Sequence, residues 1–235
     1  MCGRYSTAKI QKKKFEEKLK LKLGDYSPSF NACPGRDHPV ISSIENEISL
    51  SSMHWGLIPN WTKDSAKSIK PINARSETLS EKLSFRGLLK NNRCLILADG
   101  YYEWENSGPS KVPYYIRSSD TRSMAFAGLW DRWNDNGSGS GSGSGSSYSI
   151  ITKQASQSIR FIHERMPVII PAHYWKDWLD PDLSADVMND LMQSSISELS
   201  FHPVSTLVNN PDNDTESLIT PVQPKTNDTQ DEFKF

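Results

Sequence analysis

Arg93-Cys94-Leu95-Ile96-Leu97-Ala98-Asp99-Gly100-Tyr101-Tyr102-Glu103-Trp104 is the stretch that decides how this chain is read. Cys94 to Ala98 is a short unbroken apolar run, the pattern of a strand buried on both faces. Tyr101 to Trp104 reads as a second strand, and Pro113–Ile116, Met124–Trp130, Tyr148–Thr152 and Val168–Ile170 continue the series. On the amino-terminal side a strand begins at Pro39-Val40-Ile41. Val40 to Leu50, apolar at its ends and polar in its middle, reads as a hairpin, and Ile48 to Leu57 as a strand. Helices fit at Ser6–Gly24, Gln157–Glu164, Ala172–Leu179 and Ser184–Met192. The first carries Ile10, Phe15, Leu19 and Leu23 close to one helical face, with Ser6 or Thr7 as cap, Gly24 as terminator and a Lys-rich opposite face read as solvated. Many short strands with a few interspersed helices predict an α+β single domain built on a mainly antiparallel β-sheet.

The bulk numbers agree. With 235 residues, 36% of them hydrophobic and 23% charged, the chain fits one large domain of ordinary globular composition. No apolar run approaches the roughly 18 residues of a membrane helix, and no apolar signal core follows Met1. Cys2, Cys33 and Cys94 cannot all pair and lack the paired spacing of a zinc site, so a reducing compartment and no metal are expected. The net charge of −1 argues against a protein that coats DNA electrostatically, but not against a local basic groove. Gly137 to Ser146 is five Gly-Ser repeats, the composition of a flexible coil, read as an engineered loop replacement ahead of a natural low-complexity loop. The polar tail from Pro221 is expected to fray.

Five stretches can carry chemistry. Removal of Met1 leaves Cys2 with a free α-amine beside its own thiol, and only an amino-terminal cysteine offers this 1,2-aminothiol. With an aldehyde the amine forms an imine and the thiol closes a five-membered thiazolidine. The amine's reference pKa of about 7.7–8.0 leaves a useful neutral fraction at physiological pH. Asn73 and Arg75, in Pro71–Thr78, offer a donor-acceptor amide and a planar fork suited to phosphate, or simply a capped turn. Glu103, among the aromatics of Asp99–Trp104, is either a desolvated general acid/base or a solvent-facing edge residue. His163 and Arg165, in Ile162–Pro167, suit a proton shuttle beside a phosphate clamp, against a purely structural histidine. Trp55 and Trp61 flank the Pro59 turn, where exposed rings can stack on single-stranded bases and buried ones belong to the core.

Taken together and in order, Met1–Tyr5, Trp55–Trp61, Asn73–Thr78, Asp99–Trp104 and His163–Pro167 resemble the SRAP family, with weaker echoes at Trp178–Asp180 and Val208–Asp214. The resemblance runs from Met1 to about residue 222. It implies an SRAP domain over 1–222 with a barrel-like core, the Gly-Ser insert outside every matched block, and a disordered tail over 223–235. One departure is Asn31-Ala32-Cys33-Pro34, where an Asn-x-Ala-Pro pattern is expected and a thiol stands near the cleft.

The resemblance also implies a function. Cys2 would capture the aldehyde of an abasic site in single-stranded DNA as a thiazolidine crosslink, shielding the lesion, with slow reversal and some lyase or autopeptidase chemistry. Asn73 would orient Cys2 or the sugar, Glu103 would move protons, and His163 would act as a second acid/base. Arg4, Arg75 and Arg165 would grip phosphates, and Trp104, Trp55 or Trp61 would stack on bases. No cofactor is implied. A monomer is expected, in the nucleus of a eukaryote or the cytoplasm of a bacterium. Two rivals stand beside this. An amino-terminal-nucleophile amide hydrolase needs an oxyanion Asn-Gly pair, and the only Asn-Gly here, Asn136-Gly137, adjoins the insert. A non-catalytic single-strand binder would tolerate Cys2→Ala.

Overall fold

The structure is a computed structural model describing residues 2–105, 111–119, 123–134, 144–194, 196 and 198–223. Its strands are β1 (Tyr5–Ser6), β2 (Asp37–Ile44), β3 (Glu47–Trp55), β4 (Asn73–Arg75), β5 (Arg93–Ala98), β6 (Gly100–Glu105), β7 (Val112–Ser118), β8 (Met124–Asn134), β9 (Ser144–Gln154), β10 (Arg165–Pro167) and β11 (Leu199–Pro203). Its helices are α1 (Lys12–Leu19), α2 (Leu83–Arg86), α3 (Trp175–Leu179) and α4 (Ala185–Gln193).

β5 is central to the fold, as its sequence predicts. Alternate side chains serve two cores. Leu95 and Leu97 join a cluster beneath α1, α3 and α4, whereas Cys94, Ile96 and Ala98 join the cluster that contains Cys2. A strand covered on both faces has no position for a polar residue, hence the unbroken apolar run. β5 pairs with β2 and β8, β2 with β3, β3 with β9, and β9 with β8, so five strands close into a barrel. The β3–β9 and β4–β9 pairings are parallel, and the remainder are antiparallel. β10 extends the sheet from β9.

At Asp99-Gly100 the chain leaves the barrel for a second sheet, ordered β1-β6-β7-β11. Asp99 is buried at this crossing. Its amide donates to Ser6 O, and its carboxylate accepts from the Tyr115 hydroxyl at 2.7 Å and from the Lys9 amide. Burial pushes its carboxyl up from the usual range. Gly100 is required here because a Cβ would lie 2.2 Å from the Tyr115 ring.

Several elements differ from the sequence reading. α1 is only eight residues long. Its buried face, Phe15 and Leu19, is as expected, but Ser6 is drawn into β1 by pairing with Gly100, and the Thr7 hydroxyl accepts from the Ser29 amide. The helix ends at Lys20, with φ of 54°, not at Gly24. The segment read as a helix over Gln157–Glu164 is the loop of the β9–β10 hairpin, closed by the Ala155 amide on Glu164 O at 2.8 Å. Val168–Ile170 makes only an isolated bridge, Ile169 to Phe126, because β10 precedes it. β4 and β11 were not anticipated as strands.

The hairpin of β2 and β3 turns on Glu45 and Asn46, both at positive φ, and α4 lies where a helix is expected, with Ser184 as its cap. Of the Gly-Ser repeat, Gly137–Gly143 lies outside the described residues, while Ser144, Gly145 and Ser146 pair with Asn134, Trp133 and Arg132 inside β9. The tail beyond residue 223 also lies outside them. No helix among the described residues is long and apolar enough to cross a membrane.

Candidate active site around Cys2

Cys2 is fully buried, in the cluster that holds Tyr5, Tyr101 and Tyr148. β1 fixes the chain immediately after it: Tyr5 pairs with Tyr101, the Tyr102 amide donates to Arg4 O at 2.9 Å, and the Tyr5 and Tyr148 hydroxyls share a 2.7 Å hydrogen bond. Asn73, the first residue of β4, donates its side-chain N–H to the Cys2 carbonyl at 2.9 Å. The Asn73 Oδ1 is buried and has no hydrogen-bond partner among the described residues. A buried acceptor left unmatched is costly, so this atom is available to a donor brought into the site.

Glu103 is 3% exposed, so it is not a solvent-facing edge residue. Burial pushes the Cys2 thiol up, and the Glu103 charge pushes it further in the same direction. Both effects favour the thiol over the thiolate. Tyr101, two residues before Glu103 on β6, shares its face. Its hydroxyl is fully buried without a hydrogen-bond partner among the described residues, and burial followed by the charges of Cys2 and Glu103 pushes it up. Tyr101 is the residue the sequence reading missed. Its position two residues from Glu103 was the available signal, but Tyr on such a face usually means core.

His163 stands on the β9–β10 hairpin loop. The Arg165 amide donates to its Nδ1 at 2.9 Å, so the neutral ring carries its proton on Nε2. The loop reaches the Glu103 face through Phe161, whose ring packs edge-on against Tyr114, the cross-strand partner of Glu103.

The basic residues divide. Arg75 is exposed and lines a cavity of about 350 Å³ with Gln154, Arg160, Glu164 and Arg165. Arg165 itself is buried and committed: its two terminal nitrogens take Glu77 at 2.6 and 2.9 Å, and one also donates to Thr152 O at 2.7 Å. It ties β9 to the turn after β4 while lining the same cavity as Arg75. Arg4 is half-buried and gives one terminal nitrogen to Asn31 Oδ1 and Val208 O, at 2.8 and 2.7 Å. Asn31 in turn donates to Asn210 O and Asn213 O, anchoring the 208–214 segment.

The tryptophans divide too. Trp55 is fully buried, stacked on Tyr148 at 6.1 Å and donating to Ile72 O, so its reading as a base-stacking ring is corrected to core. Trp104 follows Glu103 and so lies on the opposite sheet face, donating to Asn209 Oδ1 at 2.7 Å. Trp61 is 57% exposed on the loop after Pro59. Cys33 is buried and donates to Asn31 O, and burial pushes its thiol up. Among the described residues no group of His, Cys, Asp and Glu is placed to hold a metal.

A family model described as SOS response associated peptidase (SRAP) matches residues 1–211. Abasic site processing protein YoqW of Bacillus subtilis (strain 168) is 36% identical over 229 residues, covering 93% of this chain and 99% of its own length. Abasic site processing protein HMCES of Gallus gallus is 35% identical over 235 residues, covering 86% of this chain and 69% of its own length. Among solved structures, the crystal structure of a protein from Bacteroides thetaiotaomicron superposes with a TM-score of 0.80 at 25% identity, covering 94% of this chain and 100% of that one.

Proposed function

The chain belongs to the SOS response associated peptidase (SRAP) family, and from that premise we propose that it processes abasic sites by linking Cys2 covalently to the abasic sugar in single-stranded DNA. The observation that carries the proposal is the convergence of Asn73 and Glu103 on the second residue of a chain whose relatives are named for abasic-site processing.

An abasic sugar interconverts between a closed hemiacetal and an open aldehyde. After loss of Met1, the Cys2 amine adds to the aldehyde carbon and expels water, leaving an imine. The Cys2 sulfur then adds to the imine carbon, its proton passes to the nitrogen, and the thiazolidine closes. A buried thiol held protonated beside a carboxylate suits this order, amine first and sulfur second. Glu103 takes the thiol proton as the carbon–sulfur bond forms and returns it to nitrogen. Asn73 holds the Cys2 carbonyl and so fixes where the amine points. His163, with its proton on Nε2, serves the sugar oxygen during ring opening. Arg75 and the exposed Trp61 contact the strand. Ring closure removes the imine that would otherwise drive β-elimination, so the adduct protects the strand.

The test is a denaturing gel with Met1-processed protein and an oligonucleotide carrying one abasic site. A heat-stable shifted band is expected for the unmutated chain alone. It disappears in Cys2→Ala, and forms about 10²–10⁴-fold more slowly in Glu103→Gln, the usual contribution of a positioned acid/base. No band, with the Cys2 amine shown free by mass spectrometry, sinks the proposal.

A further inference from the structure

Glu103, Tyr114, Ile116 and Phe201 lie on one face of the second sheet. Glu103 is directly opposite Tyr114, and Phe201 is directly opposite Ile116, two residues on from Tyr114. Phe161, from the hairpin loop that carries His163, packs onto the same face. The Tyr114–Phe161, Tyr114–Phe201 and Phe161–Phe201 ring centroids are 5.9, 6.1 and 5.3 Å apart. This aromatic group is not sealed: Phe161 is 51% and Phe201 37% exposed. Arg160, next to Phe161, lines the basic cavity with Arg75. Open aromatic rings thus lie on the face that carries Glu103 and on the loop that carries His163, one residue from an arginine that lines the Arg75 cavity.

We propose that Tyr114, Phe161 and Phe201 form a stacking platform for the base that flanks the abasic nucleotide in single-stranded DNA. The inference rests on the reading of Cys2 as an abasic-site nucleophile and names what the strand must present beside the lesion. The missing base leaves its neighbour with one π-face unstacked, and an exposed aromatic pair can replace the lost partner. Base stacking on an aromatic side chain is tolerant of sequence, and Arg160 and Arg75 supply the charge that tracks the phosphates. A protein partner is disfavoured because the open apolar area is only two half-exposed rings and Arg160, next to Phe161 in the chain, lines a cavity with Arg75.

The experiment uses the full chain and a strand bearing tetrahydrofuran, an abasic analogue with no aldehyde, with 2-aminopurine on one side or the other. Binding and stacking are thereby read without the covalent step, so a failure of Cys2 chemistry leaves this test intact. Fluorescence quenching by the unmutated chain is expected on one side of the lesion. The Phe161→Ala/Phe201→Ala chain is expected to lose that quenching and to bind about tenfold more weakly. Replacing the flanking nucleotides by base-free spacers costs the unmutated chain the same factor and costs the double variant nothing further. The Phe161→Leu/Phe201→Leu chain, which keeps apolar bulk, is expected to behave as the Ala chain does. Full binding by either double variant, quenching that survives in them, or losses that simply add would overturn the proposal.

Discussion

At the scale of single residues, the proposed chemistry rests on Cys2, and its surroundings bear on which of its atoms would attack first. A thiol raised by burial and then by Glu103 favours its protonated form. Alkylation by iodoacetamide at pH 7.5 is therefore expected to run at least about tenfold slower than for free cysteine, whose reference pKa is about 8.5, and to rise steadily with pH. Glu103→Gln removes the negative charge, so it is expected to speed alkylation while slowing crosslinking. If both rates fall together, Glu103 acts through the fold and not through protons. Cys2, Asn73 and Glu103 were legible because each has a distinctive chemistry within a distinctive motif. Trp55 was misread because a tryptophan in a motif looks the same whether it faces solvent or, as here, is fully buried. Tyr101 does not stand out in the sequence for the converse reason: its ring is core, and only its buried hydroxyl, without a hydrogen-bond partner among the described residues, marks it.

At the scale of elements, the two three-residue strands do the placing. β4 carries Asn73 against β9, and β10 follows His163. Strands this short show no period, so the pattern around β4 suits a capped turn and the loop before β10 mimics a helix. The Arg165–Glu77 pair holds them together. Arg165 keeps the Glu77 carboxyl below the usual range. A carboxyl lowered on folding contributes stability above its ordinary pKa, near about 4.3, and that contribution is lost as pH falls through the folded value. Glu77→Gln is expected to cost about 1 kcal/mol at pH 7, since Glu77 itself is exposed, and to converge with the unmutated chain near pH 3. Urea titrations at the two pH values check this, and parallel curves would assign the pair no stabilising role.

At the scale of the whole molecule, barrel closure brings the site together. β8 completes the ring between β5 and β9, and Gly128 sits at that seam. A Cβ there would meet Ile96 Cδ1 at 2.3 Å, Cys94 Sγ at 2.9 Å and Ser149 O at 3.0 Å. Gly128→Ala is expected to destabilise the fold by about 1–3 kcal/mol, a fall of roughly 2–12 °C in Tm by calorimetry. An unchanged Tm would mean that the seam yields at no cost. The sequence by itself determined the α+β class, the doubly buried β5, the β2–β3 hairpin, the place of α4, and the choice of Cys2, Asn73 and Glu103 as candidate site residues. All of these follow from local patterning or from side-chain chemistry carried in order along the chain. Only the tertiary structure decided which arginine is free and which is clamped, which tryptophan is core, and that a loop brings Phe161 and His163 to the face of Glu103. Those outcomes depend on partners 88 residues apart for Arg165 and Glu77, and 71 apart for Asn73 and Cys2, which no local pattern encodes.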